Sequence, residues 1–375
     1  MDAGIAASPV TRNMIGMELT VTLGSRSYPV ILERGIAASL PLRLKRDFPK
    51  SKFGLVTNTV VRDLYGKLID SWHDELDLVV HCMPDGERYK TLETWGKIFD
   101  TFIPAKLERS SVIIAFGGGV VGDMAGFAAA TYMRGIACVQ VPTTLLAMVD
   151  SSVGGKTALD HAAGKNLIGA FHQPSLVWID TAFLDTLPKR EYAAGCAELF
   201  KYGFIGGPDL FDHITVHGQS ILDGRPDMLL DGIWRGIALK AGVVERDEYE
   251  TKGERTLLNF GHTFAHAIEK HFGFEKLLHG EAVWWGMRCA CELGKRLAAI
   301  PEDSFEKYEA MMKTFPRPPL PPLDPDELIA AMRFDKKVLS GTLAFVVPTA
   351  PGFSIVKSDA PLSEVRKAIE AGLTA

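Results

Sequence analysis

Residues Ser111–Met133 read SVIIAFGGGVVGDMAGFAAATYM, and the three parts of this stretch decide the fold. Ser111–Phe116 is a short, β-branched apolar run of the kind buried on both faces of a parallel sheet. Gly117-Gly118-Gly119-Val120-Val121-Gly122 follows it and satisfies G-x-G-x-x-G. Met124–Met133 then reads as a helix. Such a turn lets the backbone approach a pyrophosphate, which would sit on the free N–H groups of the helix start. Alone the motif is weak, because glycine-rich strand-to-helix turns are common. It also departs from the ordinary dinucleotide fingerprint. It lies beyond residue 100, and no acidic residue ends a strand ~20 residues on, where one would hold a ribose. Any nucleotide is therefore expected in a variant arrangement.

Outward from this stretch the same strand type recurs at Lys52–Asn58, Leu76–Met83, Ile136–Val141 and Leu176–Asp180. Each run is ended by turn chemistry, and the segments between are long enough for crossover helices. Met17–Leu32 reads as an antiparallel hairpin turning at Gly24-Ser25. From about residue 182 helical periodicity takes over, at Glu191–Phe204, Met228–Val244, Thr263–His271, Glu281–Ala299 and Phe305–Thr314. Pro316–Pro325 carries six prolines in ten residues, which makes a stiff extended connector. Beyond it come a helix at Asp326–Phe334, a strand at Thr342–Val347 and a last helix near Ser363–Leu373. The expected division is an α/β domain over 1–181, with 1–16 as a flexible extension, and a helical domain over 182–375. A chain of 375 residues agrees with two domains at ~150 residues each.

Lys and Arg total 41 against 46 Asp and Glu, a formal net charge of −5. A general nucleic-acid binder would carry basic excess, so that class is set aside, although a local basic pocket for a small anion is not. No apolar run approaches the ~20 residues that cross a bilayer, and the first residues lack a signal-peptide core. The five cysteines are odd in number and form no C-x-x-C pair. They read as reduced thiols of a cytoplasmic protein rather than as disulfides or a zinc-thiolate site.

Pro142–Phe171 is the most unusual segment. It places Thr143, Thr144, Asp150, Ser151, Ser152, Lys156, Lys165 and Asn166 around three glycine breaks. A polar, glycine-broken stretch is expected to run as a loop over a cleft, with Lys156 and Lys165 as point charges for phosphate or carboxylate. Metal-ligand candidates lie in the second half. His262 and His266 stand four apart, on one face if helical, and His279 follows before Gly280-Glu281. Glu198 and Lys201 also share a helical face. Three nitrogen or oxygen ligands with an open position make a catalytic zinc-type site, and spacing alone nominates His262 with His266. Lys240, Glu250, Arg255 and Asn259 lead into the histidine segment, and Asp335-Lys336-Lys337 follow the prolines.

Together GGGVVGDMAGFAAATYMRG, VPTTLLAMVDSSVGGKTALDHAAGKNLIGAF, AELFKYG, LLNFGHTFAHAIE and LHGEAV resemble the 3-dehydroquinate synthase family of the sugar phosphate cyclases, in order and from about Met17 onward. The resemblance implies an N-terminal Rossmann-like domain binding NAD, a C-terminal helical domain binding one divalent ion (Zn²⁺ or Co²⁺), an active site between them and a homodimer. Its implied metal ligands are Glu198, His262 and His279. His266 passes from the spacing-based ligand pair to the substrate phosphate. That phosphate would also be gripped by Lys156, Asn166 and Asn259, with one of Lys336 or Lys337. Asp150 and Lys201 would hold substrate hydroxyls, Lys240 and Arg255 would face a carboxylate, and Arg134 would reach the partner subunit's site. The catalytic set implied is Asp150, Lys156, Lys201, Glu250 and His266.

NAD contacts are implied for Asn58, for the turn Asp85, Gly86, Glu87, Arg88, Tyr89 and Lys90, and for Gly118, Gly119, Val120, Val121, Gly122 and Asp123. They are implied also for Thr143, Thr144, Lys156 and Lys165, and for Phe183, Leu184, Asp185 and Thr186. One departure from the family spacing is an extra residue between Lys240 and Arg255 (YETKGER), which loosens the placement of Glu250 and Arg255. The implied reaction converts 3-deoxy-D-arabino-heptulosonate 7-phosphate to 3-dehydroquinate. It runs through NAD-assisted oxidation at C5, phosphate elimination, reduction, ring opening and aldol closure. Rival readings are an aminodehydroquinate- or valiolone-forming cyclase and a metal-dependent polyol dehydrogenase. Lys240 and Arg255 together favour a substrate bearing a carboxylate. The phosphate set Lys156, Asn166 and His266 speaks against the dehydrogenase.

Overall fold

The computed structural model describes residues 11–13, 16–273, 276–337 and 343–374, with the backbone alone for 11–13 and 334–337. Two units are distinguished among the described residues, one running up to Pro188 and including Lys240–Glu245, the other holding the remaining residues from Lys189 on.

In the first unit, all of Phe53–Asn58 and Val112–Gly117 is buried, as unbroken apolar runs demand. The order is β1 (Thr11–Asn13), β2 (Gly16–Val21), β3 (Tyr28–Glu33), α1 (Leu40–Asp47), β4 (Phe53–Asn58), α2 (Thr59–Glu75), β5 (Leu78–Met83), α3 (Leu92–Phe102), β6 (Val112–Gly117), α4 (Gly119–Thr131), β7 (Ala137–Pro142), β8 (Lys156–His161), β9 (Gly164–Phe171) and β10 (Leu176–Asp180). One eight-stranded sheet runs β1-β2-β3-β10-β7-β6-β4-β5. Its first three strands pair antiparallel, and β3 through β5 in that order pair parallel. The hairpin expected over Met17–Leu32 is β2 and β3, joined by a 3-10 turn at Gly24–Arg26. From β4 the chain passes outward to β5 and then returns across β4 to β6. The glycine turn at the carboxyl end of β6 therefore lies at the switch point of the sheet, where α/β folds bind ligands.

Pro142–Phe171 is not the open loop expected. One π-helical turn at Ala147–Ser151 is followed by the antiparallel hairpin β8–β9. Its glycines misled the reading. A Cβ on Gly169 would lie 2.1 Å from the Thr157 carbonyl, so that residue serves close strand pairing rather than a break.

The second unit contains α5 (Lys189–Lys201), α6 (Pro208–Leu222), α7 (Pro226–Arg246, whose Lys240–Glu245 belong to the first unit), α8 (His262–His271), α9 (His279–Arg296), α10 (Glu302–Thr314), α11 (Pro325–Lys337), β11 (Phe345–Ala350), β12 (Phe353–Lys357) and α12 (Leu362–Thr374). Helix α9 is buried nearly all round and forms the axis of this unit, against which α5, α8 and α12 pack. Two elements, α6 and β12, escape the periodicity. Val216 is 71% exposed and interrupts the stripe of Leu210, Phe211, Ile214 and Ile221, and β12 leaves Phe353, Ile355 and Val356 exposed. Residues 316–324 form neither helix nor strand, as their prolines require. No helix among the described residues is long and apolar enough to cross a membrane.

Candidate active site

The parallel strands of the first unit end in the residues that the motifs singled out. Asn58 closes β4, Asp85–Lys90 follow β5, Gly118–Asp123 follow β6, Thr143 and Thr144 follow β7, and Phe183–Thr186 form a 3-10 turn after β10. Space at the glycine turn is tight. A Cβ on Gly118 would meet Thr144 Cγ2 at 3.1 Å, one on Gly119 would meet Ser151 Oγ at 3.2 Å, and one on Gly122 would meet Gln140 Oε1 at 2.9 Å. Asn58 accepts from the Val61 amide at the start of α2 and donates to Asp85 Oδ1 at 2.5 Å. Tyr65 Oη sits 2.5 Å from Thr186 Oγ1, and its ring meets Phe183 edge-on. Arg88 lies over the Tyr89 ring, and Asp185 pairs with Arg34 at 2.6 Å.

Lys90 is the centre of this edge. It is 4% exposed, and its Nζ donates to Asp123 Oδ2 at 2.5 Å and to Asn166 Oδ1 at 2.6 Å. Burial opposes its charge, but Asp123 and Glu87 outweigh burial and raise its pKa. Asn166 stands in the left-handed region at φ 57°, and its amide bonds Asp160 Oδ1. Lys165 Nζ lies 3.7 Å from Glu87 Oε1. The hairpin β8–β9 thus brings Lys165 and Asn166 to the 85–90 turn, a proximity across seventy-odd residues that no spacing announces. Lys156 begins β8 and is exposed. Arg134 is exposed in a left-handed turn after α4, with Met133 at φ 49° and Arg134 at φ 71°.

Asp150 rides on the π-helical turn, and π-helical turns concentrate at functional positions. Lys240 Nζ donates to both its main-chain oxygen and Oδ1, each at 2.5 Å. The family resemblance implies separate partners for these two residues, a substrate hydroxyl and a carboxylate, whereas here they hold each other.

In the second unit three helices converge on one carboxylate. Glu198 and Lys201 sit one turn apart on α5 and are 0% and 1% exposed, with Lys201 Nζ 2.6 Å from Glu198 Oε2. His262 opens α8 and His279 opens α9. Their Nε2 atoms lie 3.4 and 3.1 Å from Glu198 Oε1. One ligand atom from each of Glu198, His262 and His279 can be chosen so that all lie within 4.8 Å of one another. His266 stays outside this group, its ring 5.5 Å from that of His262 and 6.3 Å from that of His279. The pairing of His262 with His266 suggested by spacing is therefore not what the fold assembles. Burial works to raise the Glu198 carboxyl, yet Lys201 and the two histidines outweigh it and hold it well below the usual carboxylate range. Burial likewise opposes charge on His279, but Glu269 and Glu198 raise it to about 10. A buried carboxylate with two imidazoles is the donor set of a catalytic zinc-type site, so these residues fit a divalent ion.

Main-chain contact fixes the three helices. A Cβ on Gly280 would lie 1.9 Å from the Ala194 carbonyl oxygen of α5, and one on Gly286 would lie 2.1 Å from the Gly261 carbonyl oxygen. Gly261 takes φ +78° to turn the chain into α8. Arg190 clamps Glu281 through two 2.7 Å bonds, and Glu281 also accepts from the Leu278 amide. Before α8, Asp247 accepts from the amides of Thr251, Lys252 and Arg255. Burial would raise its pKa, but these amides lower it. That one carboxylate organises the longer YETKGER loop, with Glu250 at φ 57° and Arg255 buried and donating to the Glu248 carbonyl. Asn259 ends the 3-10 turn Glu254–Asn259 just ahead of His262. The side chains of Lys336 and Lys337, on α11, lie outside the described part.

The sequence reading missed Asp247 and Glu269. Asp247 carries no motif. Glu269 had a signal, since it falls seven residues after His262 on the face that His262 and His266 share.

Residues 80–194 match the family model for the 3-dehydroquinate synthase N-terminal domain, and residues 195–338 match that for its C-terminal domain. A 3-dehydroquinate synthase of Saccharophagus degradans is 46% identical over 341 residues, covering 90% of this chain and 94% of the relative. Among solved structures, a 2-epi-5-epi-valiolone synthase from Streptomyces hygroscopicus subsp. jinggangensis 5008, with NAD⁺ and Zn²⁺ bound, superposes with a TM-score of 0.85 at 28% identity, covering 94% of this chain and 98% of that one. A 2-deoxy-scyllo-inosose synthase complexed with carbaglucose-6-phosphate, NAD⁺ and Co²⁺ gives 0.84 at 25%, covering 94% and 99%. With both of its halves matched and near-complete coverage of a relative at 46% identity, the chain belongs to the 3-dehydroquinate synthase family.

Proposed function

We propose that the chain catalyses the reaction for which its family is named, forming 3-dehydroquinate and phosphate from 3-deoxy-D-arabino-heptulosonate 7-phosphate. The observation that carries this reading is the convergence of His262 and His279 on the buried Glu198. Its cofactors are NAD, proposed on the carboxyl edge of the sheet in the first unit, and one divalent ion, Zn²⁺ or Co²⁺, on Glu198, His262 and His279. When bound, NAD accepts and returns a hydride while the ion polarises substrate oxygens.

The protein's own contribution is positioning. Asp150, held by Lys240, presents a carboxylate oxygen that can accept from a substrate hydroxyl, and Lys201 presents an ammonium beside the ligand cluster. Lys156, Asn166, Asn259 and His266, with Lys336 or Lys337, are proposed to bind the phosphate. Arg255 and Lys240 are proposed for the carboxylate. To serve there Lys240 would release Asp150, to whose main-chain oxygen and Oδ1 its Nζ donates. A homodimer, with Arg134 directed to the partner subunit's site, completes the reading. The five cysteines carry no disulfide, which suits a reducing cytoplasm.

The test is direct. Purified protein supplied with the heptulosonate phosphate, NAD⁺ and Zn²⁺ or Co²⁺ should release phosphate with no net NADH. Accumulation of NADH would favour a dehydrogenase, and turnover of a neutral sugar phosphate in its place would favour another cyclase.

A further inference from the structure

We infer that Glu269 is a positioning residue for the metal centre, fixing the imidazole of His279 so that its Nε2 is the atom offered to the ion. The inference rests on the metal reading above. Glu269 lies on α8, is 3% exposed, and sets Oε1 3.4 Å from His279 Nδ1. The other ring nitrogen, Nε2, is 3.1 Å from Glu198 Oε1. The His279 ring is therefore held between two buried carboxylates. One belongs to the ligand cluster, and the other stands behind it.

A neutral imidazole has one N–H and one lone pair. With the hydrogen on Nδ1 directed at Glu269, the lone pair is on Nε2, facing the cluster. An acceptor behind a ligating histidine fixes both its tautomer and its ring plane and makes it a better donor. His262 receives the same treatment from a weaker acceptor, its Nδ1 lying 3.1 Å from the Phe260 carbonyl oxygen. The two histidines thus differ in what stands behind them, a neutral carbonyl in one case and a buried carboxylate in the other. The carboxylate also adds negative charge to a site in which Lys201 already answers Glu198.

The experiment is a Co²⁺ titration of the intact chain, read by visible absorption and by competition with a chelator. Glu269→Ala, Glu269→Gln, Glu269→Met and His279→Ala are compared with the wild type, and thermal unfolding checks that each variant folds. Glu269→Ala should weaken Co²⁺ binding by about 10- to 100-fold and change the Co²⁺ band. Glu269→Gln, which keeps the shape and one acceptor oxygen, should lose less. A folded Glu269→Ala with wild-type affinity and spectrum overturns the inference. Should that variant not fold, Glu269→Met, which fills the same space without an acceptor, decides, and wild-type values for it overturn the inference equally. Wild-type protein that takes up no Co²⁺, or His279→Ala that binds it unchanged, would instead overturn the metal reading.

Discussion

At the carboxyl edge of the sheet two lysines are already engaged, Lys90 by Asp123 and Asn166 and Lys240 by Asp150. In the helical unit a single carboxylate, Glu198, faces Lys201, His262 and His279 together. The first region offers main-chain groups and room left by glycines, and its Lys90 and Lys240 would exchange partners to hold a ligand. The second is a side-chain cage whose donors already point inward. Substitutions should therefore separate the two. Those at the cage should act on metal, and those at the edge on nucleotide, on the Asp150 geometry and on local stability.

The largest effect is expected at the cage. His279→Ala should abolish metal retention and lower turnover by more than about 100-fold, the upper range for losing even an outer partner, while the fold survives. Metal analysis beside steady-state kinetics checks this, and retained metal would remove the distinction between the regions. Next comes Lys240→Met, which removes the ammonium that holds the Asp150 carboxylate. Because the Asp150 side chain is 25% exposed, the loss of stability should be about 2 kcal/mol, less than for a fully buried pair. Denaturant unfolding measures it, and Co²⁺ affinity should not move.

Gly119→Val would push against Ser151 and should weaken NAD binding about tenfold, ~1.4 kcal/mol, with metal content unchanged. Fluorescence titration with NAD⁺ is the check, and a parallel loss of metal would show that the regions are not independent.

The smallest effect is expected at Asp247→Asn, about 1 kcal/mol of stability at neutral pH. The folded Asp247 pKa is depressed below 3.8, so its contribution is present above that value and disappears as pH falls through the folded pKa. The difference between wild type and variant should consequently shrink as the pH is taken below 3.8, and a difference that grew would contradict the amide contacts.

The sheet was legible because a strand buried on both faces leaves an unbroken apolar run, as at Val112–Gly117. The hairpin β8–β9 was not, because its glycines serve close strand approach while the same residues in a sequence signal a loop. Of the metal cluster, the helical pair His262 and His266 was readable as spacing. Yet the fold groups His262 with Glu198, 64 positions upstream, and with His279 on another helix. Only the longer family-like motifs carried that information, since periodicity reports neighbours on one helix and is blind to where separate helices meet. The pairing of Lys240 with Asp150 was invisible for the same reason.

Gly280 and Gly286 have a consequence for how the centre tolerates change. Where α9 touches α5 and the start of α8, main chain meets main chain with no side chain between. The separation of Glu198, His262 and His279 is thus gauged by peptide groups, whose dimensions do not vary with sequence. Exchanges among the surrounding leucines, methionines and aromatics can loosen the unit as a whole while the ligand spacing keeps its calibration. A methyl group added at Gly280 would wedge α9 away from α5 and miscalibrate the site at once.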